Sequence, residues 1–181
     1  MKLTFVTGNK HKYADAKQLF AATSVYLSQE DLDLVEIQSR SAEEIAHHSA
    51  QEAGNMLNKP LFVLDRSFHI ETLKGFPGPY AKDINSWLTS EDILKLVNEN
   101  RQAHWLSVIG HYHPEQGIEL FTGKTEGAIA INPGNKGTYM LDQIFIPKGF
   151  DLSLSELDRE VVTTIQNECS CWKEFEEYLS V

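Results

Sequence analysis

The opening stretch of the chain constrains the fold most strongly, because its pattern predicts a buried strand that turns directly into a helix. Residues 2–6 are apolar and β-branched, and residues 13–20 place their apolar side chains on one helical face. The turn between them is Thr7-Gly8-Asn9-Lys10-His11-Lys12. Such a turn leaves backbone N–H groups at the helix start, and these groups, the helix dipole and two lysines favour an anion. The hypothesis is a phosphate-binding loop. The alternative is an ordinary turn, in which Gly and Asn are common.

The composition bounds the classes of protein to which the chain can belong. With 181 residues, 41% of them hydrophobic, we expect a single domain over residues 1–181. The formal net charge of −10 argues against a nucleic-acid-binding surface, which is basic. No apolar run is long enough for a signal peptide or a transmembrane helix, so we expect no membrane association. Cys169 and Cys171 are too close in sequence to staple distant segments, which favours the cytoplasm.

The rest of the chain alternates predicted strands and helices, which is typical of an α/β protein. Residues 31–37 alternate polar and apolar, which predicts a half-buried strand. Ser41-Ala42-Glu43-Glu44 predicts a capping box and a helix to about Leu57. The apolar face of this helix is predicted to hold Ile45, Ser49, Ala53 and Met56, supported by Ala46 and Ala50. Further strands are predicted at 61–71, 103–113, 118–130 and 144–147, one or two helices within 83–100, and a helix from about 155.

Two strands carry polar side chains that suggest chemistry. Asp65 follows a buried strand, and ligand clefts form at such strand ends in α/β folds. The alternative for Asp65, equally open from the residues alone, is the polar face of an extended hairpin. His111 and His113 share a strand face, and a solvent-facing strand explains them more simply than a metal site.

Four short motifs occur along the chain: Thr7-Gly8-Asn9 with Lys12, Glu44 on the second helix, Gly75-Phe76-Pro77-Gly78-Pro79-Tyr80, and Ile144-Phe145-Ile146-Pro147. In this order they resemble the inosine triphosphate pyrophosphatase family, over nearly the whole chain. The resemblance implies an α/β fold with a mixed twisted sheet flanked by helices and two lobes with a central cleft. It also implies a homodimer, which the family commonly forms.

The same resemblance implies an activity and a set of site residues. Family members hydrolyse noncanonical purine NTPs such as ITP, dITP and XTP to NMP and pyrophosphate. By this resemblance Asp65 is the catalytic base, and Glu44 and Asp65 bind Mg²⁺. The expected substrate-binding residues are Thr7, Gly8, Asn9, Lys10, Lys12 and Lys82 for the phosphates, and Tyr139 and Asp142 for the base.

Several positions depart from the family pattern. Leu64 replaces the first acid of the family's acidic pair, and Arg66 places a cation beside Asp65, which we expect to weaken it as a base. Residues 138–143 lack the glycines and the proline of the family's base-stacking loop. Gln166-Asn167-Glu168 stand where the family has Ser-His-Arg. Two hypotheses follow: an active pyrophosphatase with altered metal and base recognition, or a catalytically inactive paralogue that binds nucleotides or acts as a scaffold.

Overall fold

A computed structural model describes residues 1–180 and confirms a mixed α/β fold. The strands are β1 (Lys2–Val6), β2 (Tyr26–Glu30), β3 (Leu61–Ile70), β4 (Pro77–Gly78), β5 (Gln102–His113), β6 (Gly117–Ile129) and β7 (Phe145–Pro147). The helices are α1 (Lys10–Leu19), α2 (Ala42–Leu57), α3 (Ala81–Trp87), α4 (Ser90–Leu96), α5 (Met140–Ile144), α6 (Arg159–Asn167) and α7 (Ser170–Leu179). None of these helices has the length and apolarity needed to span a membrane.

The sheet is mixed because it contains both parallel and antiparallel strand pairs. The strand order is β2-β1-β3-β5-β6-β7, and β4 pairs with β3. β1 pairs in parallel with both β2 and β3, in register from Lys2 opposite Tyr26 to Val6 opposite Glu30 on the β2 side. β4 runs antiparallel to β3, and β7 runs antiparallel to β6. The parallel pairing brings the carboxyl ends of β1 and β2 to the same edge.

The chain forms two compact units, each with its own core. The first unit comprises Met1–Asp65, Ser107–Gly123 and the chain from Ser170 onward, and the second comprises Arg66–Leu106 and Lys124–Cys169. In the first unit the rings of Phe5 and Phe62 stack with their centres 4.3 Å apart, and Phe62 also meets Trp172 and Phe175 of α7. In the second, Phe68 meets Trp105 at 4.8 Å and Phe145 at 5.4 Å.

Helix α2 packs against β5 through a stripe of small residues. Ala42, Ala46, Ala50, Ala53 and Gly54 are its buried residues. A Cβ atom on Gly110 of β5 would lie 2.7 Å from the Ala46 carbonyl oxygen, and one on Gly54 would overlap the Tyr112 ring. The helix and the strand approach this closely only because both sides lack bulk. Met56, expected on the buried face, is 56% exposed instead, because the alanine stripe turns it outward.

Residues 31–37 do not form the expected strand. β1 already pairs with β2 and β3 on its two sides, and the Val35 N–H donates to the Glu52 carboxylate of α2 at 2.9 Å. The alternation in sequence is nevertheless visible in burial, since Leu32 and Leu34 are half-buried between exposed Asp31, Asp33 and Val35. The pattern therefore reports alternating burial without strand pairing.

The C-terminal segment forms two helices where one was expected. Helix α6 ends at Asn167. The Glu168 N–H donates hydrogen bonds to the carbonyls of Thr164 and Gln166, which tightens the last turn. Helix α7 begins at Ser170, whose hydroxyl donates to the Thr122 carbonyl at 3.2 Å. The break coincides with the point at which the chain leaves the second unit for the first.

His111 is buried rather than solvent-facing, which corrects the expectation from sequence. It is 2% exposed and lies against the rings of Phe175, Tyr178 and His113. Within residues 1–180 neither ring nitrogen has a hydrogen-bond partner. Burial, with a smaller contribution from His113, lowers the pKa of His111 from 6.5 to about 4.

We predict that His111 makes the protein less stable in acid. Because the folded-state pKa is depressed, the unfolded chain binds this proton first, so stability present at neutral pH is lost as the pH falls from about 6.5 towards 4. The loss is on the order of 3 kcal/mol. Urea unfolding of the wild type and of His111→Phe at several pH values measures it.

The expected result is that His111→Phe loses stability less steeply over this pH range than the wild type does. His47→Asn, which alters an exposed histidine of α2, is the matched control and should follow the wild-type curve. Parallel curves for the wild type and His111→Phe would contradict the prediction.

Candidate active site

The loop between β1 and α1 is shaped by its own polar side chains. Asn9 caps α1, its side-chain oxygen accepting from the N–H groups of His11 at 2.9 Å and Lys12 at 3.1 Å. The Asn9 N–H donates in turn to the Thr7 hydroxyl at 3.1 Å. The expectation of available N–H groups at the helix start is therefore met only in part, because Asn9 already satisfies two of them.

The loop is tied to the neighbouring strands through both of its ends. The Thr7 N–H donates to the Glu30 carbonyl at 2.8 Å, and the Gln29 side chain donates to the Thr7 carbonyl at 2.8 Å. The half-buried Lys12 donates from Nζ to the Leu64 carbonyl at 3.1 Å. This bond brings the Lys12 cation to the backbone of the residue that immediately precedes Asp65.

A carboxylate that sequence reasoning did not assign also lies at this loop. A Cβ atom on Gly8 would stand 2.6 Å from Oδ1 of Asp31, so a larger residue at position 8 would displace this exposed carboxylate. Asp31 directly follows β2, whose last residue is paired with the end of β1. Spacing in sequence gives no sign of this contact, because it arises from the parallel pairing of the two strands. The same loop carries the exposed Lys10 and the half-buried Lys12.

Glu44 lies in the first turn of α2, and its carboxylate is not used for the expected capping box. Ser41 caps the helix by accepting from the Glu44 N–H at 3.1 Å, as expected. The Glu44 carboxylate accepts from the Ser39 hydroxyl at 2.6 Å rather than from the Ser41 N–H. The Glu44 side chain is exposed. The close packing of α2 on β5 fixes the position of its backbone.

Carboxylate oxygens are the protein ligands that Mg²⁺ prefers, and the ion commonly takes one or two of them together with substrate phosphates. Glu44 and Asp65 fit that chemistry. No group of three or more His, Cys, Asp or Glu side chains suited to a metal ion occurs among residues 1–180.

In the second unit, Tyr139 and Asp142 form one turn at the start of α5. The Asp142 N–H donates to the Tyr139 carbonyl at 3.1 Å, and the Met140 N–H donates to the Asn85 side chain of α3 at 2.7 Å. Burial raises the pKa of Tyr139 to about 12, helped by Asp142 and opposed by Arg66. Burial also raises the pKa of Asp142, against the charge of Arg66. The bond from Met140 to Asn85 thus ties the start of α5 to α3.

The side chain of Arg66 lies with this second group. Its Cζ atom is 4.9 Å from the centre of the Trp105 ring, a cation–π distance. The expected weakening of Asp65 by Arg66 stays a prediction.

The remaining candidates are more loosely placed. Lys82 is exposed in the first turn of α3, and it forms no hydrogen bond or ion pair with Tyr139 or Asp142 within the described residues. Gln166 and Asn167 end α6, and Glu168 follows as its cap. A cavity of about 440 Å³ in the second unit is lined by residues such as His104, Lys124 and Lys148, and by none of the predicted site residues.

Comparison with known proteins identifies the family. The Ham1 family model matches residues 3–178. The chain belongs to the Ham1 family. It is 39% identical over 180 residues to the dITP/XTP pyrophosphatase of Methanopyrus kandleri, covering 98% of this chain and 96% of that protein. It is 35% identical over 181 residues to the protein of the same name from Thermococcus kodakarensis, covering 99% and 97%. These relatives confirm the resemblance found from the sequence motifs.

Solved Ham1 structures have the same fold. The Ham1 protein of Staphylococcus aureus has a TM-score of 0.82 at 21% identity, covering 99% of this chain and 98% of that chain. A HAM1 protein of Coxiella burnetii has a TM-score of 0.85 at 19% identity, with the same coverage. The fold of this Ham1 chain is thus kept at low sequence identity, while its site residues have to be judged one by one.

We predict that the two roles of Asn9 in this Ham1 chain can be separated. Asn9→Ala removes the cap of α1 and should lower the free energy of unfolding by about 1 kcal/mol. Asn9→Asp keeps a capping oxygen, so its stability should stay near that of the wild type, but its negative charge in the loop should weaken binding of tripolyphosphate. Urea unfolding and calorimetric titration measure the two effects. Equal tripolyphosphate affinity in Asn9→Asp and the wild type would argue against a phosphate-binding loop.

Proposed function

We propose that this protein hydrolyses noncanonical purine NTPs, such as ITP, dITP and XTP, to NMP and pyrophosphate. Support comes from the two relatives named dITP/XTP pyrophosphatase, which match nearly the full chain. The observation that carries the proposal within the structure is the bond from Lys12 Nζ to the Leu64 carbonyl. It joins the glycine loop at the start of α1 to the strand that bears Asp65.

In this proposal the loop binds the phosphates. The Thr7 hydroxyl and the backbone at Gly8 and Asn9 offer polar contacts at the start of α1, where the helix dipole favours negative charge. Lys10 and Lys12 neutralise part of the triphosphate charge. Lys82, which is exposed, is a further candidate cation for the phosphates.

Asp65 acts as the general base in the proposed reaction. Its carboxylate takes a proton from water as the water oxygen forms a bond to the α-phosphorus. The bond from that phosphorus to the bridging oxygen breaks, and the electron pair leaves with pyrophosphate. In this proposal Lys12, which donates to the Leu64 carbonyl on this strand, neutralises the negative charge that the leaving group gains.

Glu44 and Asp65 would hold Mg²⁺, which when bound neutralises phosphate charge. Leu64 offers no ligand where the family pattern has an acid, and this leaves two assigned carboxylates. We propose that the metal requirement is kept with a lowered metal affinity. Tyr139 and Asp142 are the proposed base contacts, Tyr139 by stacking on the ring.

The proposal extends to assembly and location. We propose a homodimer in the cytoplasm that acts on free nucleotides, with no role for nucleic acid or a membrane. The net charge of −10 supports the exclusion of nucleic acid. Light scattering coupled to gel filtration tests the homodimer, since a monomeric mass at micromolar concentration would contradict it.

We predict pyrophosphate release from ITP and XTP with Mg²⁺ at neutral to alkaline pH, measured across a panel that includes the four common ribonucleotides. Asp65→Asn should reduce the rate by about 10²-fold or more, because the variant cannot accept the proton. Asp33→Asn, which alters an exposed acid of the same unit, is the control and should keep full activity. A flat panel for the wild type would favour the inactive-paralogue hypothesis.

We also predict that Leu64→Glu restores a missing ligand. The added carboxylate should lower the Mg²⁺ concentration needed for half-maximal activity by about tenfold, since a further oxygen ligand strengthens cation binding. Leu64→Gln is the matched control of similar shape without charge. An identical Mg²⁺ dependence in the wild type and Leu64→Glu would mean that position 64 does not contact the metal.

A further inference from the structure

A cationic side chain lies among the groups proposed to contact the base. Cζ of Arg66 is 4.9 Å from the centre of the Trp105 ring. The Trp105 and Tyr139 rings have their centres 6.3 Å apart and are inclined by 30°. The charge of Arg66 also reaches both Tyr139 and Asp142. Arg66 therefore belongs to the same cluster as the two proposed base contacts, and the proposed function gives it no role.

The cluster is rich in hydrogen-bond donors. A guanidinium carries five N–H donors in a planar fork and no acceptor. Trp105 is 5% exposed, and its indole N–H has no acceptor within residues 1–180. Packing on the Trp105 ring restricts the plane of the guanidinium, and the nearby Asp142 supplies an opposite charge. An arrangement of this kind suits a flat ligand whose edge presents acceptors.

We propose that Arg66 is a specificity-determining residue that selects nucleotides with a 6-oxo purine base by donating hydrogen bonds to O6 and N7. This inference rests on the proposed function. An arginine fork on O6 and N7 is the commonest specific contact to guanine in nucleic acids. Hypoxanthine and xanthine present the same two acceptors.

Adenine is rejected by the same chemistry. It presents an amino group at position 6, so the N–H donors of that group would point at the N–H donors of the guanidinium. Both sets of N–H groups would then lose their partners on leaving water, which makes discrimination against adenine large. The choice also fits this chain, because Gln166-Asn167-Glu168 contain no cationic donor where the family pattern has Ser-His-Arg.

The experiment compares kcat/KM for ITP and for ATP in the wild type, Arg66→Lys and Arg66→Gln. Lysine keeps the positive charge but lacks the planar fork, so the ITP-to-ATP ratio should fall by about tenfold or more. Glutamine pairs well with N6 and N7 of adenine, so its ratio should fall further, partly through faster ATP turnover. Thermal unfolding of each variant checks that the fold is kept.

An unchanged ratio in both variants, or equal losses for ITP and ATP, overturns the inference and leaves Arg66 as packing for Trp105. Calorimetric binding of ITP and ATP in an Asp65→Asn background separates this failure from that of the proposed function. If no NTP is hydrolysed by the wild type but ITP-selective binding is lost in Arg66→Lys, the proposed function fails and the inference stands. Unselective binding, or no binding of either nucleotide, overturns the inference.

Discussion

The candidate site depends on one hydrogen bond between elements that are far apart in sequence. Lys12 donates from Nζ to the Leu64 carbonyl, 52 residues away. Parallel pairing of β1 with β3 brings the two segments side by side, and α1 then directs the lysine back over the neighbouring strand. The base of the loop is also bonded to β2 through the Thr7 N–H and carbonyl. Preorganised cations and dipoles of this kind are what phosphate chemistry requires.

Much of this arrangement could be predicted from the sequence, because its signals are local. Three such features depend only on residues a few positions apart: the strand at Lys2–Val6, the helix start after Asn9 and the cap at Ser41. Sequence motifs also identified the family. The contacts that failed to appear in the prediction are non-local: Asp31 reaches Gly8 only through strand pairing, and His111 is buried only because α7 packs over it. Periodicity predicts a face, but it does not say what covers that face.

Charge is distributed unevenly between the candidate groups. The loop between β1 and α1 contains Lys10 and Lys12, yet the Asp31 carboxylate lies beside Gly8. The net charge around the loop is therefore less positive than the loop sequence alone suggests. In the second unit burial raises the pKa values of Asp142 and Tyr139, and the positive charge of Arg66 opposes that rise. The substitution at Leu64 removes one negative group, and the arginine at position 66 adds a positive one. Both departures make this part of β3 more positive than the family pattern.

The alanine stripe of α2 has a consequence for how this protein can change over evolutionary time. Most contacts in a protein core tolerate both smaller and larger side chains, but Gly54 and Gly110 are already at the minimum of volume. Substitution of either glycine can therefore only add atoms, and each added atom pushes the Tyr112 ring or the Ala46 backbone rather than filling a void. The packing of these small residues thus fixes the position of Glu44, although none of them is a proposed site residue. These glycines and alanines should vary less than many residues of the surface around them.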